Sequence, residues 1–314
     1  MIATLNAAAA DRRVASVLAR LGQIAPAATA AAARALTRVL GPVRRSAWPD
    51  VAWRASRLTD DGFPVEFSWS SRDAAVRWTA EVAGPETPDA DRLDLALAQI
   101  ETLQGVPPNC PAEIGAYFAA VTPQYRFGCW LGGRHDAFGT RTKLYIELPA
   151  GVQPDVVSAP ITAALGKSVL WRMVGWDPQT GQREFYGRLA FDEVHQPAVI
   201  ARRLGFAQPE RLTAAIARLL VSRRHCTRPL GAESGVSVAL SAAGDPVALC
   251  WFAPARLIHP VASGVYSRIC DAADDMDTSI LNALADQGTT GRIGLVGTGI
   301  TAQGNTWHQA GCRQ

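Results

Sequence analysis

The sequence predicts an α+β fold in which ten antiparallel strands close into a β-barrel with a polar lumen, jacketed by helices. Three observations lead there. Pairs of segments with alternating apolar and polar residues, each pair joined by a short polar turn, recur five times along the chain. Helical segments separate the pairs, so an order of helix, strand, strand, helix repeats. The polar positions of the strands carry full charges, which a packed interior would not tolerate. An open sheet of that many strands would curl or split, whereas closure removes both edges.

The pairs are read in order. The first is Phe63–Ser70 and Ala75–Val82, turning through Ser71-Arg72-Asp73. The second is Phe127–His135 and Arg141–Leu148, with Asp136–Thr140 between them and His135 expected in solvent at the tip. Ser168–Trp176 and Gln182–Phe191 form the third around Asp177–Gly181. Gly235–Ser241 and Val247–Phe252 form the fourth around Ala243–Pro246. The fifth, Arg292–Thr298 and Asn305–Cys312, encloses a longer glycine-containing loop. Gly, Pro, Asp and Asn in these joints suit hairpin backbone angles. Between the pairs, Asp89–Leu103, Pro111–Ala120, Val194–Leu204, Pro209–Val221 and Ile258–Ala285 carry apolar residues at helical spacing.

Alternation assigns the faces. Phe63, Val65, Phe67 and Trp69 oppose Glu66, Ser68 and Ser70; Val76, Trp78 and Ala80 oppose Arg77, Thr79 and Glu81. Thr142, Leu144 and Ile146 oppose Arg141, Lys143, Tyr145 and Glu147; Phe185 and Leu189 oppose Glu184, Tyr186 and Arg188. A sheet covered by helices turns its apolar face to them, so the charged face points inward. Such a lumen is costly unless it holds water or a charged ligand. The facing of the third and fifth strands, with Trp130 and Trp171, stays open.

Residues 1–47 read as a helical segment packed on the barrel and residues 48–314 as one barrel domain. The alanine-rich start carries Asp11, Arg12, Arg13 and Arg20, which suits an amphipathic helix and not a signal peptide. No apolar run is long enough to span a membrane. With 48% hydrophobic and 19% charged residues the chain can bury a large core. A net charge of +3, with basic pairs scattered at Arg44–Arg45, Arg202–Arg203 and Arg223–Arg224, does not suit a nucleic-acid partner. Six cysteines with no C-x-x-C pair point to reduced thiols and a cytoplasmic protein. A closed barrel has no edge to recruit a partner, so a monomer is expected.

At the level of motifs, Leu58-Thr59-Asp60-Asp61-Gly62-Phe63-Pro64-Val65-Glu66-Phe67-Ser68 resembles the first barrel strand of the ABBA-type (prenyltransferase-barrel) aromatic prenyltransferases, in their indole, dimethylallyltryptophan synthase-like branch. Val76-Arg77-Trp78-Thr79-Ala80-Glu81 is similar to that branch's second strand, and Lys143-Leu144-Tyr145 to its Lys-x-Tyr element on strand four. The resemblance implies that Glu66 is the base that binds an indole N–H, that Arg77, Lys143 and Arg188 hold a diphosphate, and that Tyr145, Tyr186 and Phe252 shield an allylic cation. It further implies transfer of a dimethylallyl or geranyl group from its diphosphate to an indole, a tryptophan derivative or a Trp- or Tyr-containing peptide, without a required cofactor or essential magnesium. Gly132 and Ala248 are small lumen residues that would leave room for the longer donor.

Two departures accompany it. Strand six offers Tyr186 and Arg188 where the family has Arg-x-Lys-x-Tyr, and strand eight offers Cys250 and Phe252 where the family has Lys-x-Tyr. A degenerate barrel that binds an aromatic or amphiphilic small molecule is therefore the alternative, unless Arg256 or Arg313 supplies the missing cation.

The chemistry suits these residue types. Cations aimed at a leaving diphosphate stabilise the charge it develops, aromatic faces stabilise an allylic cation and exclude water, and a carboxylate can accept the acceptor's proton. Each residue also has a structural reading: Glu66 neutralised by Arg77, Arg77 and Lys143 in ion pairs, the tyrosines as packing, and Trp130 and Trp171 as core instead of acceptor pocket. Gly297-Thr298-Gly299 with Gly304 lacks dinucleotide-loop spacing. Asp271, Asp274, Asp275 and Asp277 are expected in a solvated turn, with no metal site.

Overall fold

The computed structural model describes residues 7–120, 125–148, 161, 165, 169–189, 197–220, 234–273, 276–285 and 292–313. Ten strands close into one antiparallel barrel: β1 Val65–Ser70, β2 Val76–Glu81, β3 Cys129–Asp136, β4 Gly139–Glu147, β5 Val169–Trp176, β6 Arg183–Leu189, β7 Gly235–Leu240, β8 Pro246–Pro254, β9 Arg292–Thr301 and β10 Thr306–Arg313. Each strand pairs with its sequence neighbours, and β10 returns to β1 through Phe67 opposite Cys312. All the expected hairpins form. The end of the barrel that carries the five hairpin turns is called the upper end below.

The outer face is the core. Val65, Phe67, Trp69, Val76, Trp78, Leu131, Leu144, Phe185, Val238 and Ile300 are buried between sheet and helices. Helix α1 (Ala7–Gly22) packs on α2 (Pro26–Val39), and α2 lies against β2 and β3 with Ala28, Ala32, Ala35, Leu36 and Val39 buried. Two short turns follow, α3 (Gly41–Arg44) and α4 (Pro49–Ala52). Among the described residues the remaining jacket includes α5 (Arg92–Gln104), α6 (Ala112–Ala120), α7 (Pro197–Arg203), α8 (Glu210–Leu219), α9 (Ala255–Ile258), α10 (Ala262–Ala273) and α11 (Ser279–Leu284). None of the described helices is long and apolar enough to cross a membrane.

Three expectations change. The helical reading of Ile258–Ala285 resolves into α9, α10 and α11, interrupted by the extended His259 and by a break around Asp277, whose carboxylate accepts the Ser279 N–H at 2.8 Å. The fifth hairpin has no long loop: β9 runs on to Thr301 and the turn is tight around Gly304, which has φ 88°. Gly297 lies in the strand as expected, and Gly299, beneath Trp307, continues it where the absence of a side chain had ended the expected strand at Thr298. His135 is not solvated at a tip. It is fully buried on the outer face, where it accepts the Trp78 indole N–H at 2.9 Å and bonds Thr140 Oγ1 through Nδ1 at 3.0 Å. Arg223, Arg224, Cys226, Asp274 and Asp275, with the ends of two expected helices, lie outside the described residues.

Candidate active site

The inward-facing residues enclose a cavity of about 720 Å³ that runs the length of the barrel. Its lining includes Glu66, Arg77, Trp130, Lys143, Tyr145, Tyr186, Arg188 and Phe252, eight of the nine side chains singled out in the sequence. The strand registers order them in height.

Glu66 stands low on β1. Its carboxylate lies over Gly311 of β10, and a β-carbon there would come within 2.7 Å of Oε1. Burial pushes the Glu66 pKa up to about 7; Arg313 offsets part of that rise and Asp60 adds to it. Among the described residues the carboxylate makes no hydrogen bond, and Arg77 does not neutralise it: that arginine turns upward to Asp73, with Nη2 2.5 Å from Oδ2. A buried carboxyl titrating near neutrality has the character of a general base.

Two residues farther up β1, Ser68 lies opposite Arg77 of β2, Arg77 opposite Arg134 of β3, and Arg134 opposite Arg141 of β4. Three arginines thus stand side by side on adjacent strands near the mouth. Arg134 shares Asp73 at 3.1 Å and also pairs with Asp136 at 2.7 Å. Arg72, in the hairpin above, lies over the Trp307 ring at 4.7 Å. Arg134 was overlooked in the sequence because β3 contains Gly132-Gly133, which blurs its alternation, although Trp130 and Arg134 do share the inward parity.

One step below Arg141, Lys143 crosses Gly175 of β5 to reach β6. Its Nζ donates to Glu184 Oε2 and, at 3.0 Å, to Tyr186 Oη, while Ser237 Oγ donates to Glu184 Oε1 at 2.5 Å. The nitrogen lies 5.3 Å from the Tyr145 ring centre and 5.4 Å from that of Tyr186. Burial works against both charges, yet the pairing prevails: the lysine pKa is above, and the glutamate pKa below, its ordinary value. Glu184 was read in the sequence only as an inward residue; nothing local to its strand shows that Lys143 will reach it.

Arg188 does not join Arg77 and Lys143. It stands four residues down β6 from Glu184, roughly 13 Å along a strand, and is close enough to Arg172 to lower that arginine's pKa after burial and Arg126 have done so. Phe252 reaches over Gly235 on β7. Trp130 stacks on Phe127 with ring centres 3.9 Å apart and donates its indole N–H to Glu81 at 2.9 Å, low in the barrel.

Trp171 is the exception. A bulge between Trp171 and Met173 inserts one residue into β5 and reverses the alternation. Trp171 therefore faces outward, buried edge-on against Phe185 at 6.0 Å, and Met173 takes the inward place. It belongs to the core and not to an acceptor pocket. Gly132 does not leave free room either, since the Tyr145 ring occupies the space where its β-carbon would sit, at 2.9 Å. Arg256 and Arg313 do not line the cavity; Arg313 pairs with Asp60. Cys250, at the strand-eight position, is buried and receives Gln309 Nε2 at 3.4 Å from its sulfur. No group of metal-ligating side chains occurs among the described residues.

No protein-family model matches the sequence, and no curated protein matches it. Solved structures match in shape over nearly the whole chain. A 5-dimethylallyltryptophan synthase from Streptomyces coelicolor superposes with a TM-score of 0.77 at 16% identity, covering 98% of this chain and 97% of its own. A 6-dimethylallyltryptophan synthase from Micromonospora olivasterospora, in complex with DMASPP and Trp, gives 0.77 at 17% identity, with 98% and 97% covered. The prenyltransferase PriB, in a ternary complex with L-tryptophan and dimethylallyl thiolodiphosphate, gives 0.74 at 17% identity, with 95% and 94% covered. The chain therefore has the prenyltransferase-barrel fold that its strand motifs led one to expect.

Proposed function

We propose that this chain is an aromatic prenyltransferase that moves a dimethylallyl group from its diphosphate to an indole or a related electron-rich aromatic acceptor. The observation that carries the reading is the vertical order of the cavity: Glu66, with a pKa of about 7, low on one side, a row of cations near the mouth, and Tyr145 and Tyr186 between those levels. The same fold serves dimethylallyltryptophan synthases, which supports the donor and the acceptor class.

In this reading the allylic C–O bond breaks as the diphosphate leaves with the bonding electrons toward the mouth. Arginines already fixed there stabilise the charge as it grows. The tyrosine rings, and Phe252 below, face the cation and keep water from capturing it. The acceptor's π electrons form the new C–C bond, Glu66 binds its N–H or O–H and takes up that proton, and loss of the hydrogen from the alkylated carbon with return of a proton to the nitrogen or oxygen restores the aromatic ring. The arginine row meets the leaving-group charge directly, so the activity is proposed to need no added magnesium. A geranyl donor or a peptide acceptor would have to fit the same 720 Å³.

A second reading has its own support. Lys143 is already neutralised by Glu184, strand eight contributes Cys250 and Phe252 in place of a cation and a hydroxyl, and neither Arg256 nor Arg313 lines the cavity. Those features favour a barrel that binds an aromatic or amphiphilic molecule without transfer. Incubation with dimethylallyl diphosphate and L-tryptophan or simple indoles, in EDTA and then in magnesium, separates the two. Prenylated product in EDTA that disappears with Glu66→Gln supports transfer. No product from any acceptor, together with no binding of a non-hydrolysable dimethylallyl diphosphate analogue, would overturn it.

A further inference from the structure

Three arginines directly opposite one another on neighbouring strands repel, and such a row persists only if something offsets it. Arg77, Arg134 and Arg141, with Arg72 above them, bring four positive charges to the mouth of the barrel. Asp73 and Asp136, paired with them, return two negative charges, and Asp177 at the mouth returns a third, so one positive charge remains in excess. Arg77 is mostly buried, and its Nη1 has no hydrogen-bond partner among the described residues although the residue lines the cavity. The excess charge and the orphan donor describe a place prepared for an anion.

The level below differs. Lys143 has its charge taken up by Glu184, which Ser237 and Tyr186 hold in place. An anion approaching Lys143 would meet the carboxylate bonded to the same nitrogen. Asp177, at the mouth beside this pair, adds to the negative side. Burying a second anion against Glu184 in a partly desolvated lumen is costly.

We propose that Glu184 sets the depth at which an anionic ligand is held: by taking up Lys143 it leaves the middle of the lumen electrically neutral, and the phosphate or diphosphate head of the ligand rests one level higher, on Arg77, Arg134 and Arg141. Arg134 and Arg141 are thereby ligand-binding residues, and Glu184 is a specificity determinant that acts through Lys143. The inference rests on the proposed diphosphate donor for the identity of the ligand, and it adds where the head group sits.

The test is calorimetric titration of the full-length protein with inorganic pyrophosphate and with a non-hydrolysable dimethylallyl diphosphate analogue, in EDTA. The wild type binds both. Arg134→Gln weakens both by about 10-fold or more, as expected for loss of one charge-assisted contact, and the exposed Arg141→Gln, which leaves the core untouched, weakens them by several-fold. Glu184→Gln frees Lys143 and tightens pyrophosphate by about 10-fold. The double variant Lys143→Met with Glu184→Gln removes the pair together and stays within about threefold of wild type. Arginine variants that bind like wild type, with a double variant that has lost binding, would put the anion on Lys143 and overturn the inference while leaving the transferase reading intact. A wild type that binds neither ligand overturns both.

Discussion

The Glu66 carboxylate rests on the α-carbon of Gly311, on the strand that closes the barrel, because no side chain stands there to push it into the lumen. The glycine therefore sets the position of the proposed base. Gly311→Ala would place a methyl group within 2.7 Å of Oε1, and the flexible end of the glutamate would give way instead of the sheet. The expected result is a fall of 10-fold or more in kcat with little change in the melting temperature, measured by product formation and by thermal denaturation. A variant with wild-type kcat would separate Glu66 from the chemistry.

Glu66 should also couple activity to stability. Its folded pKa of about 7 lies above the ordinary glutamate value of 4.5, so the group favours the folded state below about pH 4.5 and loses that contribution as pH rises through 7. The ionised form is the base, so kcat/KM should rise with pH through about 7 and level off above it. Glu66→Gln should abolish transfer yet unfold at higher urea concentration at pH 8, by about 1–3 kcal/mol, with the gain falling away as pH drops through 7 and gone below about pH 4.5. Urea titrations of both proteins at pH 8 and below pH 4.5 decide this.

The strand alternation made the barrel legible because one face of every strand had to satisfy helices and the other a polar lumen. Glu66, Arg77, Lys143 and Tyr145 were readable for the same reason: each sits in an uninterrupted alternating run. Trp171 was not, since a bulge is a one-residue event that leaves no mark in periodicity. The Lys143–Glu184 pair and the arginine row were hidden for a different reason. Each is set by register across strands 41 and 57 residues apart in sequence for Lys143–Glu184 and Arg77–Arg134 respectively, a relation that no local pattern encodes.

Two buried histidines, His135 and His308, should make the fold sensitive to acid. Burial lowers His135 to a pKa of about 4, with Arg34 of α2 adding to the effect and Asp136 opposing it. Burial lowers His308 to about 4 as well, with Arg218 of α8 adding to it. An unfolded histidine titrates near 6.5, so the contribution of each is fully present above that pH and is lost as pH falls toward 4. Each can account for about 1–3 kcal/mol. His135→Gln, which can still accept from Trp78, should flatten the stability profile between pH 6.5 and 4.5 relative to wild type. Unchanged slopes in urea melts would show that the imidazole escapes burial.

The lower end of the barrel offers the clearest asymmetry between partners. Glu81 is buried and accepts from Arg92 at 2.9 Å, from Trp130 at 2.9 Å and from Ser56 at 2.6 Å. Burial raises its pKa in spite of those contacts. Arg92, for its part, also donates to the Gly84 carbonyl at 3.1 Å and pairs with Asp89 at 2.9 Å. Glu81→Gln keeps an acceptor for Trp130 and leaves Arg92 with its other partners, so a loss of about 1 kcal/mol is expected. Arg92→Met strands the carboxylate among neutral donors, and a loss of about 3–5 kcal/mol is expected at pH 8. Protonating Glu81 relieves that penalty, so the deficit of Arg92→Met should shrink as pH falls toward 5, whereas that of Glu81→Gln should not. Equal, pH-independent losses in the two variants would mean that Glu81 is already neutral in the folded protein and that neutral hydrogen bonds alone hold it.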